Sequence, residues 1–339
     1  MKAIEITKPG VVNVIEIEKP ALAPEEVLVK IGYVGFCGSD LNTYRGRNLM
    51  ALSPVIPGHE IGGTIATIGS EVPEGLFNEG MNVTVNPYTA CGKCPSCRKR
   101  RPNACQHNET LGVQRNGAMT EYIAVPWEKI IPAEGLTTKE SALIEPMSVG
   151  FHAVNRGWVT DIDTVMVIGC GMIGVGAILR ASMRGATVIA VDLDDEKLTL
   201  AKELGAAYAL NSGKADFHDK LMEITNGDGP DVVIEAVGSA PTYNVAVNEV
   251  SFCGRMVCIG YAKSDISLRT QFFVQKELDI RGSRNALPED FTAVIRYLLR
   301  KTCPLDRLIS AVVTPEEAGE AMKKWSDAPS KVFRILVKF

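Results

Sequence analysis

At 339 residues the chain is long enough for two domains with sizeable cores. Its 40 acidic residues against 36 basic ones leave it slightly negative, so charge gives no case for a nucleic-acid partner or an anionic membrane surface. No apolar run approaches the length of a membrane span, and the opening Met1-Lys2-Ala3-Ile4-Glu5-Ile6-Thr7-Lys8 alternates as a strand without an apolar leader, so a cytoplasmic protein is expected, in a compartment where nine cysteines can stay reduced.

Up to about residue 150 the chain reads as short strands between Gly and Pro turns, such as Glu26–Ile31 and Met81–Val85, which predicts an irregular β-rich domain. Within it, Gly35-Phe36-Cys37-Gly38-Ser39-Asp40 offers a thiolate and Pro57-Gly58-His59-Glu60 an imidazole and a carboxylate. Ile144-Glu145-Pro146 adds a second carboxylate. Singly, each residue fits an ordinary buried cysteine, a hydrogen-bonded histidine or a surface acid. Together they can build a catalytic zinc site, because a mixed thiolate, imidazole and carboxylate set binds zinc while leaving a position open.

Between these segments, Cys91, Cys94, Cys97 and Cys105 are spaced C-x2-C-x2-C-x7-C. Two-residue gaps let a tight loop turn successive sulfurs toward one ion, so a structural zinc lobe at about residues 88–106 is predicted. A disulfide framework is the competing reading, and a long chain with nothing else secreted about it favours zinc. The basic run Arg98-Lys99-Arg100-Arg101 within the lobe reads as a solvated face.

From about Asp161 the pattern changes to alternating strands and helices. Thr164–Ile168 reads as a strand, runs into Gly169-Cys170-Gly171-Met172-Ile173-Gly174, continues as a helix to about Arg184, and is followed by a strand ending at Asp192. A bare G-x-G-x-x-G is a weak signal and fits a ligand-free turn. Preceded by a strand, followed by a helix and joined to an acidic residue about twenty positions on, it is the dinucleotide fingerprint. Asp192 would accept hydrogen bonds from ribose hydroxyls and repel a 2′-phosphate, which favours NAD over NADP, with Lys197 as the one nearby cation that leaves the second open. Val232–Ile234 and Met256–Ile259 read as further buried parallel strands, with helices at Glu196–Leu204 and Ala240–Val250. The nucleotide domain should end near Gly282, and Val332–Val337 reads as a strand returning to the first domain. Cys170, Cys253, Cys258 and Cys303, left over from the two zinc sets, read as buried small residues.

Across essentially its whole length the chain resembles the zinc-containing medium-chain alcohol and polyol dehydrogenases. The resemblance implies an α/β protein: a Rossmann doubly wound parallel-sheet domain, residues 151–283, and a β-rich GroES-like catalytic domain, residues 1–150 and 284–339. It implies two zinc ions per subunit and NAD. Carried over by position, Cys37, His59, Glu60 and Glu145 form the catalytic-zinc set, with the roles of the two carboxylates undecided, and the four lobe cysteines hold the structural zinc. Gly169, Gly171, Ile173, Gly174, Asp192, Lys197, Gly260 and Ser283 fall at cofactor-binding positions. The family usually has glycine where Arg100 stands, so the turn of the lobe should differ there.

Zinc would acidify a substrate hydroxyl, the nicotinamide would take the hydride, and Ser39 is placed to take the hydroxyl proton, or else to cap a helix beginning near Asp40. Many relatives have histidine at the position of Asn42, and asparagine cannot titrate, so the proton's exit path is left open: water or Glu145 could serve, and His152 is a more distant candidate that could equally be a packed helix residue. Gly282–Phe291 and Ala142–Pro146 look most like hexonate 5-dehydrogenases acting on L-gulonate or L-galactonate. Arg284 could clamp a substrate carboxylate, or bind the cofactor or a carbonyl. Oxidation of sorbitol or L-threonine, and more distantly a non-enzymatic NAD-sensing or structural role, are the alternatives. A homodimer or homotetramer is implied, as relatives pair through the edge strand of the nucleotide domain.

Overall fold

The strand Glu26–Phe36 organises the first half of the chain. Its β-branched and aromatic residues suit a pleated, buried surface, and it pairs antiparallel with Glu60–Ile68, Tyr122–Pro126 and Ile335–Lys338. The sequence pattern suggested a stop at Ile31; the strand instead continues through Gly32 and Gly35, where the absent side chains admit neighbours. A Cβ on Gly32 would lie 2.6 Å from the Thr138 hydroxyl, and one on Gly62, in the paired strand, 1.8 Å from the Thr138 carbonyl. The turn of helix Thr138–Ser141 therefore sits directly on glycine backbone.

The computed structural model describes residues 1–48, 50–51, 53–262 and 264–339. It separates into two units: Met1–Glu145 with Leu287–Phe339, and Pro146–Ala286. In the first, the sheet runs in the order Ala311–Val313, Ile335–Lys338, Glu26–Phe36, Glu60–Ile68, Asn82–Val85, Ile130–Pro132. Its core is an aliphatic cluster that includes Val27, Val29, Val34, Phe36, Ile61 and Val83. The returning strand begins at Ile335 rather than Val332, because Pro329–Lys331 forms a 3-10 turn and the Arg334 side chain is drawn inward.

In the second unit six parallel strands lie in the order Tyr208–Asn211, Thr187–Asp192, Thr164–Ile168, Val232–Glu235, Arg255–Cys258, Asp279–Gly282. This is the doubly wound order in which the direction of winding reverses between the third and fourth, with a ligand crevice expected at the carboxyl ends of those two strands. The predicted helices fall at Met172–Met183, Asp195–Glu203 and Ala240–Glu249. Gly205, at φ +106°, closes the second of them. Of the leftover cysteines, Cys170 is buried, Cys258 and Cys303 are half-buried, and Cys253 is exposed. The expectation of burial fails at Cys253 because it occupies a left-handed turn, φ +57°, between a helix and the strand Arg255–Cys258. Among the described residues no helix is long and apolar enough to cross a membrane.

Candidate active site

The register of one strand pair assembles the first metal-type cluster. Gly35 stands opposite Glu60, so Cys37, just past the end of one strand, meets His59 and Glu60 at the start of the other. Gly58, at φ +104°, turns the chain into His59, and a Cβ there would press on Met119 and Val34. A Cβ on Gly35 would fall 2.1 Å from Oε2 of Glu60, so glycine makes the space for this carboxylate. One sulfur, one nitrogen and one oxygen from Cys37, His59 and Glu60 lie within 4.8 Å of one another. Cys37 also caps the helix Gly38–Tyr44, its N–H bonded to the Asp40 carboxylate at 2.8 Å. The helix thus begins at Gly38, and the cap is Cys37 rather than Ser39, whose buried hydroxyl has no hydrogen-bond partner.

The cluster is buried and rich in anions. Neither Glu60 oxygen nor Nδ1 of His59 has a hydrogen-bond partner, although Arg334 Nη1 lies 3.0 Å from Glu60 Oε1 as an ion pair. Arg334 also donates to the Phe36 carbonyl at 2.5 Å. Burial opposes its charge, but Glu60, Cys37, Glu145 and Asp40 outweigh that and hold its pKa above the usual guanidinium value. Burial likewise disfavours charge on His59, yet Cys37, Asp40 and Glu145 raise its pKa well above that of a free imidazole. Burial pushes Asp40 up to about 6 and Glu145 up to about 7. Burial and the neighbouring Glu145 raise the phenol of Tyr88, which donates a hydrogen bond to Glu145 Oε1. Unsatisfied donor atoms and an excess of negative groups are what a buried dication requires, so Cys37, His59 and Glu60 fit zinc.

The lobe fits zinc on distances. A tetrahedron with Zn–S bonds of about 2.3 Å has edges of about 3.8 Å. The Cys94 sulfur lies 3.5 Å from that of Cys97 and 3.8 Å from that of Cys105. All four lobe cysteines are free thiols, which removes the disulfide reading. Backbone N–H groups of Cys91 and His107 point at the Cys105 sulfur, each at 3.3 Å, and that of Cys94 at the Cys91 sulfur at 3.4 Å. The Ser96 hydroxyl, 3.1 Å from the Cys94 sulfur, is the main group bringing that thiol down to about 5.

In the second unit the three fingerprint glycines have three different reasons. Gly169 adopts φ +96°, a Cβ on Gly174 would fall 1.7 Å from the Gly169 carbonyl, and a Cβ on Gly171, which begins the helix, would meet nothing within 4 Å. They serve the tight turn, the close packing and the open approach that a pyrophosphate needs at a helix N-terminus. Ile173 lies in the first turn of that helix, half-buried. Asp192 ends its strand and accepts from the N–H groups of Cys170 at 2.7 Å, Leu193 at 2.8 Å and Asp194 at 3.0 Å, which fixes the carboxylate beside the glycine turn. Lys197, half-buried, sits in the first turn of a helix capped by Asp194. At Gly260 a Cβ would lie 2.1 Å from the Gly238 nitrogen, and Ser283 carries a buried hydroxyl without a partner.

The structure therefore groups Cys37, His59 and Glu60, with Glu145 turned to Tyr88, in one unit, and the glycine turn with Asp192 in the other. Arg284 and Ser283 follow the strand Asp279–Gly282 and belong to the second unit, whose limit is Ala286. Sequence reasoning missed Asp40, Tyr88 and Arg334. A signal existed for Arg334, a charge inside the apolar run Val332–Val337, and for Asp40, three residues after the cap; Tyr88 had none.

A β-rich unit with two zinc-type clusters and a doubly wound unit with a dinucleotide turn define a zinc-dependent, nucleotide-linked alcohol dehydrogenase. Residues 23–135 match the alcohol dehydrogenase GroES-like domain family and residues 173–300 the zinc-binding dehydrogenase family. The chain is 33% identical over 340 residues to a sorbitol dehydrogenase of Halalkalibacterium halodurans, covering 95% of this chain and 98% of the relative. It is 33% identical over 293 residues to the L-galactonate-5-dehydrogenase of Escherichia coli K12, covering 86% of each. A solved alcohol dehydrogenase from Escherichia coli CFT073 in complex with NADH superposes with a TM-score of 0.91 at 30% identity, covering 100% of this chain and 99% of the other. The chain belongs to the zinc-type medium-chain alcohol and polyol dehydrogenase family, and is a zinc-dependent oxidoreductase that uses a nicotinamide cofactor.

Proposed function

We propose that this dehydrogenase oxidises the C5 hydroxyl of a sugar acid, L-gulonate or L-galactonate, to a ketone with NAD as acceptor. The observation that carries the reading is the likeness to L-galactonate-5-dehydrogenase across 86% of the chain, joined to the carboxylate-bearing cluster Cys37, His59 and Glu60. Those three residues would hold the catalytic zinc, and Cys91, Cys94, Cys97 and Cys105 the structural one. Gly169, Gly171, Ile173 and Gly174 would receive the pyrophosphate, Asp192 the adenosine ribose, and Lys197, Gly260 and Ser283 would line the rest of the cofactor site. When bound, zinc supplies a Lewis acid that acidifies the substrate hydroxyl, and NAD supplies the hydride acceptor.

The residues of the chain do the remaining work. The Ser39 hydroxyl, buried and without a partner, is suited to accept the proton of a substrate hydroxyl. Glu145, pushed up to about 7 by burial, can hold a proton at neutral pH where Asn42 cannot. Arg284, half-buried after the last parallel strand, would pair with the substrate carboxylate in two parallel hydrogen bonds. The edge strand Asp279–Gly282 would join subunits into a homodimer or homotetramer, and the free thiols suit a cytoplasmic location.

A second reading, oxidation of a neutral polyol, is favoured by the equal identity to sorbitol dehydrogenase. NADH formation should be followed with zinc-replete protein on L-gulonate, L-galactonate, sorbitol and L-threonine, with Cys37→Ser as the blank. Turnover confined to a hexonate, with KM raised at least tenfold by Arg284→Ala, is expected. Turnover of sorbitol alone would replace the hexonate reading with the polyol one, and threonine alone would refute both.

A further inference from the structure

Glu235 ends the parallel strand Val232–Glu235 and is fully buried. A buried carboxylate is costly unless donors surround it, and one of its oxygens has three. Oε1 accepts from the Val237 N–H at 2.9 Å, the Gly238 N–H at 2.8 Å and the Thr242 hydroxyl at 2.8 Å. The two peptide donors lie past the strand end, where the chain turns through Gly238 at φ +80°, so the carboxylate supplies the acceptors that a paired strand would. Thr242 belongs to the helix Ala240–Glu249, whose Tyr243 hydroxyl donates to the Gly260 carbonyl at 2.8 Å. The other oxygen, Oε2, has no hydrogen-bond partner among the described residues and lies 2.7 Å from where a Cβ on Gly260 would stand, so glycine there makes room for the acid. The loop held in this way reaches the glycine turn: a Cβ on Gly169 would fall 2.6 Å from Cγ2 of Val237, a side chain that is 50% exposed.

We propose that Glu235 is a positioning residue for the nicotinamide half of the cofactor, holding Val237 and Gly238 in place beside the glycine turn. The inference rests on the NAD reading of that turn. A doubly wound sheet is two mononucleotide-binding halves joined where the winding reverses. The glycine turn and Asp192 lie on the half that Thr164–Ile168 begins, and would take the pyrophosphate and the adenosine. Glu235 lies across the reversal, at the carboxyl end of the strand beside Thr164–Ile168, so the loop that it orders is the surface the second nucleotide meets. Its work is done by accepting hydrogen bonds from the loop, not by presenting charge to a ligand, because the accepting oxygen is already spent on Val237, Gly238 and Thr242.

The test uses full-length protein, with NADH binding followed by fluorescence and binding of ADP, which has no nicotinamide, by calorimetry. A wild-type chain that binds neither would refute the NAD reading itself, and this inference with it. Glu235→Ala should raise the Kd for NADH on the order of tenfold, the scale of one buried donor left unmade, and leave the Kd for ADP unchanged. Glu235→Gln, whose amide oxygen can still accept all three hydrogen bonds, should bind NADH as the wild type does. Unchanged NADH affinity in Glu235→Ala overturns the proposal, and so does an equal loss for ADP, which would make Glu235 a support of the whole unit. Equal losses in the Gln and Ala variants overturn it too, by assigning the role to charge. Where Glu235→Ala does not fold, Thr242 decides the matter. Thr242→Val removes one donor and should raise the NADH Kd by about threefold, whereas Thr242→Ser, which keeps the hydroxyl, should not; equal NADH affinity in these two variants overturns the proposal.

Discussion

Arg100 occupies the left-handed region, φ +58°, just past the short helix Pro95–Arg98 in the cysteine lobe, a conformation that favours glycine. A side chain there costs about 1–2 kcal/mol, and glycine returns roughly half of that through the freedom it adds to the unfolded chain. Arg100→Gly should therefore stabilise the protein by about 0.5–1 kcal/mol at unchanged zinc content, read as a higher urea midpoint; a lower midpoint would mean that the guanidinium makes a contact worth more than the strain. Gly174 has the opposite sensitivity. Its Cβ would enter the Gly169 carbonyl oxygen at 1.7 Å, backbone against backbone, with no flexible side chain to yield. Gly174→Ala should displace the turn at a cost of about 1–3 kcal/mol, lowering NAD affinity in fluorescence titration while far-ultraviolet circular dichroism stays native. Undiminished affinity would remove the glycine turn from the cofactor site.

At the scale of elements, the turn Thr137–Ser141 fills the space left by Gly32 and Gly62 and is held by charge as well as packing. Glu140 accepts from the Thr137 N–H at 2.7 Å and from Lys301 Nζ at 2.8 Å, closing a capping box. Burial alone would raise the Glu140 pKa, but the Lys301 bond and the Thr137 donors outweigh it and hold the carboxyl below its ordinary value of 4.5. With the folded value depressed, the unfolded chain takes up the proton first as pH falls. The stabilisation is complete above 4.5 and fades as pH drops through the lowered folded value. Wild type should exceed Glu140→Gln by about 1–2 kcal/mol at neutral pH, and denaturant titrations should find that gap narrowing steadily as pH falls below 4.5. A gap that persists in acid would assign it to packing.

For the whole molecule, the nucleotide turn belongs to Pro146–Ala286 and the cysteine clusters to the other unit. A ligand stabilises what it binds: NAD at 100 times its Kd adds about 2.7 kcal/mol. Amide exchange in the strands Thr164–Ile168, Thr187–Asp192 and Val232–Glu235 should slow by about a hundredfold on adding NAD. Slowing of Glu26–Phe36 by the same factor would show that the chain opens as one cooperative body, and slowing of neither unit would show that NAD does not bind.

Much of this was legible in the order of residues, for a definite physical reason. The lobe cysteines lie within fifteen positions, the glycines and Asp192 span one strand-helix-strand unit, and the parallel strands are short apolar runs, so each depends on interactions along a local stretch of chain. The sequence by itself therefore determined the ligand types, the dinucleotide turn and the family. It did not determine which acid joins Cys37 and His59 in one cluster. That was decided when strand register set Gly35 opposite Glu60, when Arg334 reached the Phe36 carbonyl from 298 residues away, and when Tyr88 met Glu145 across 57. Such partners are chosen by burial, where an unpaired charge or donor is too costly to leave alone, and burial is a property of the folded chain, not of spacing.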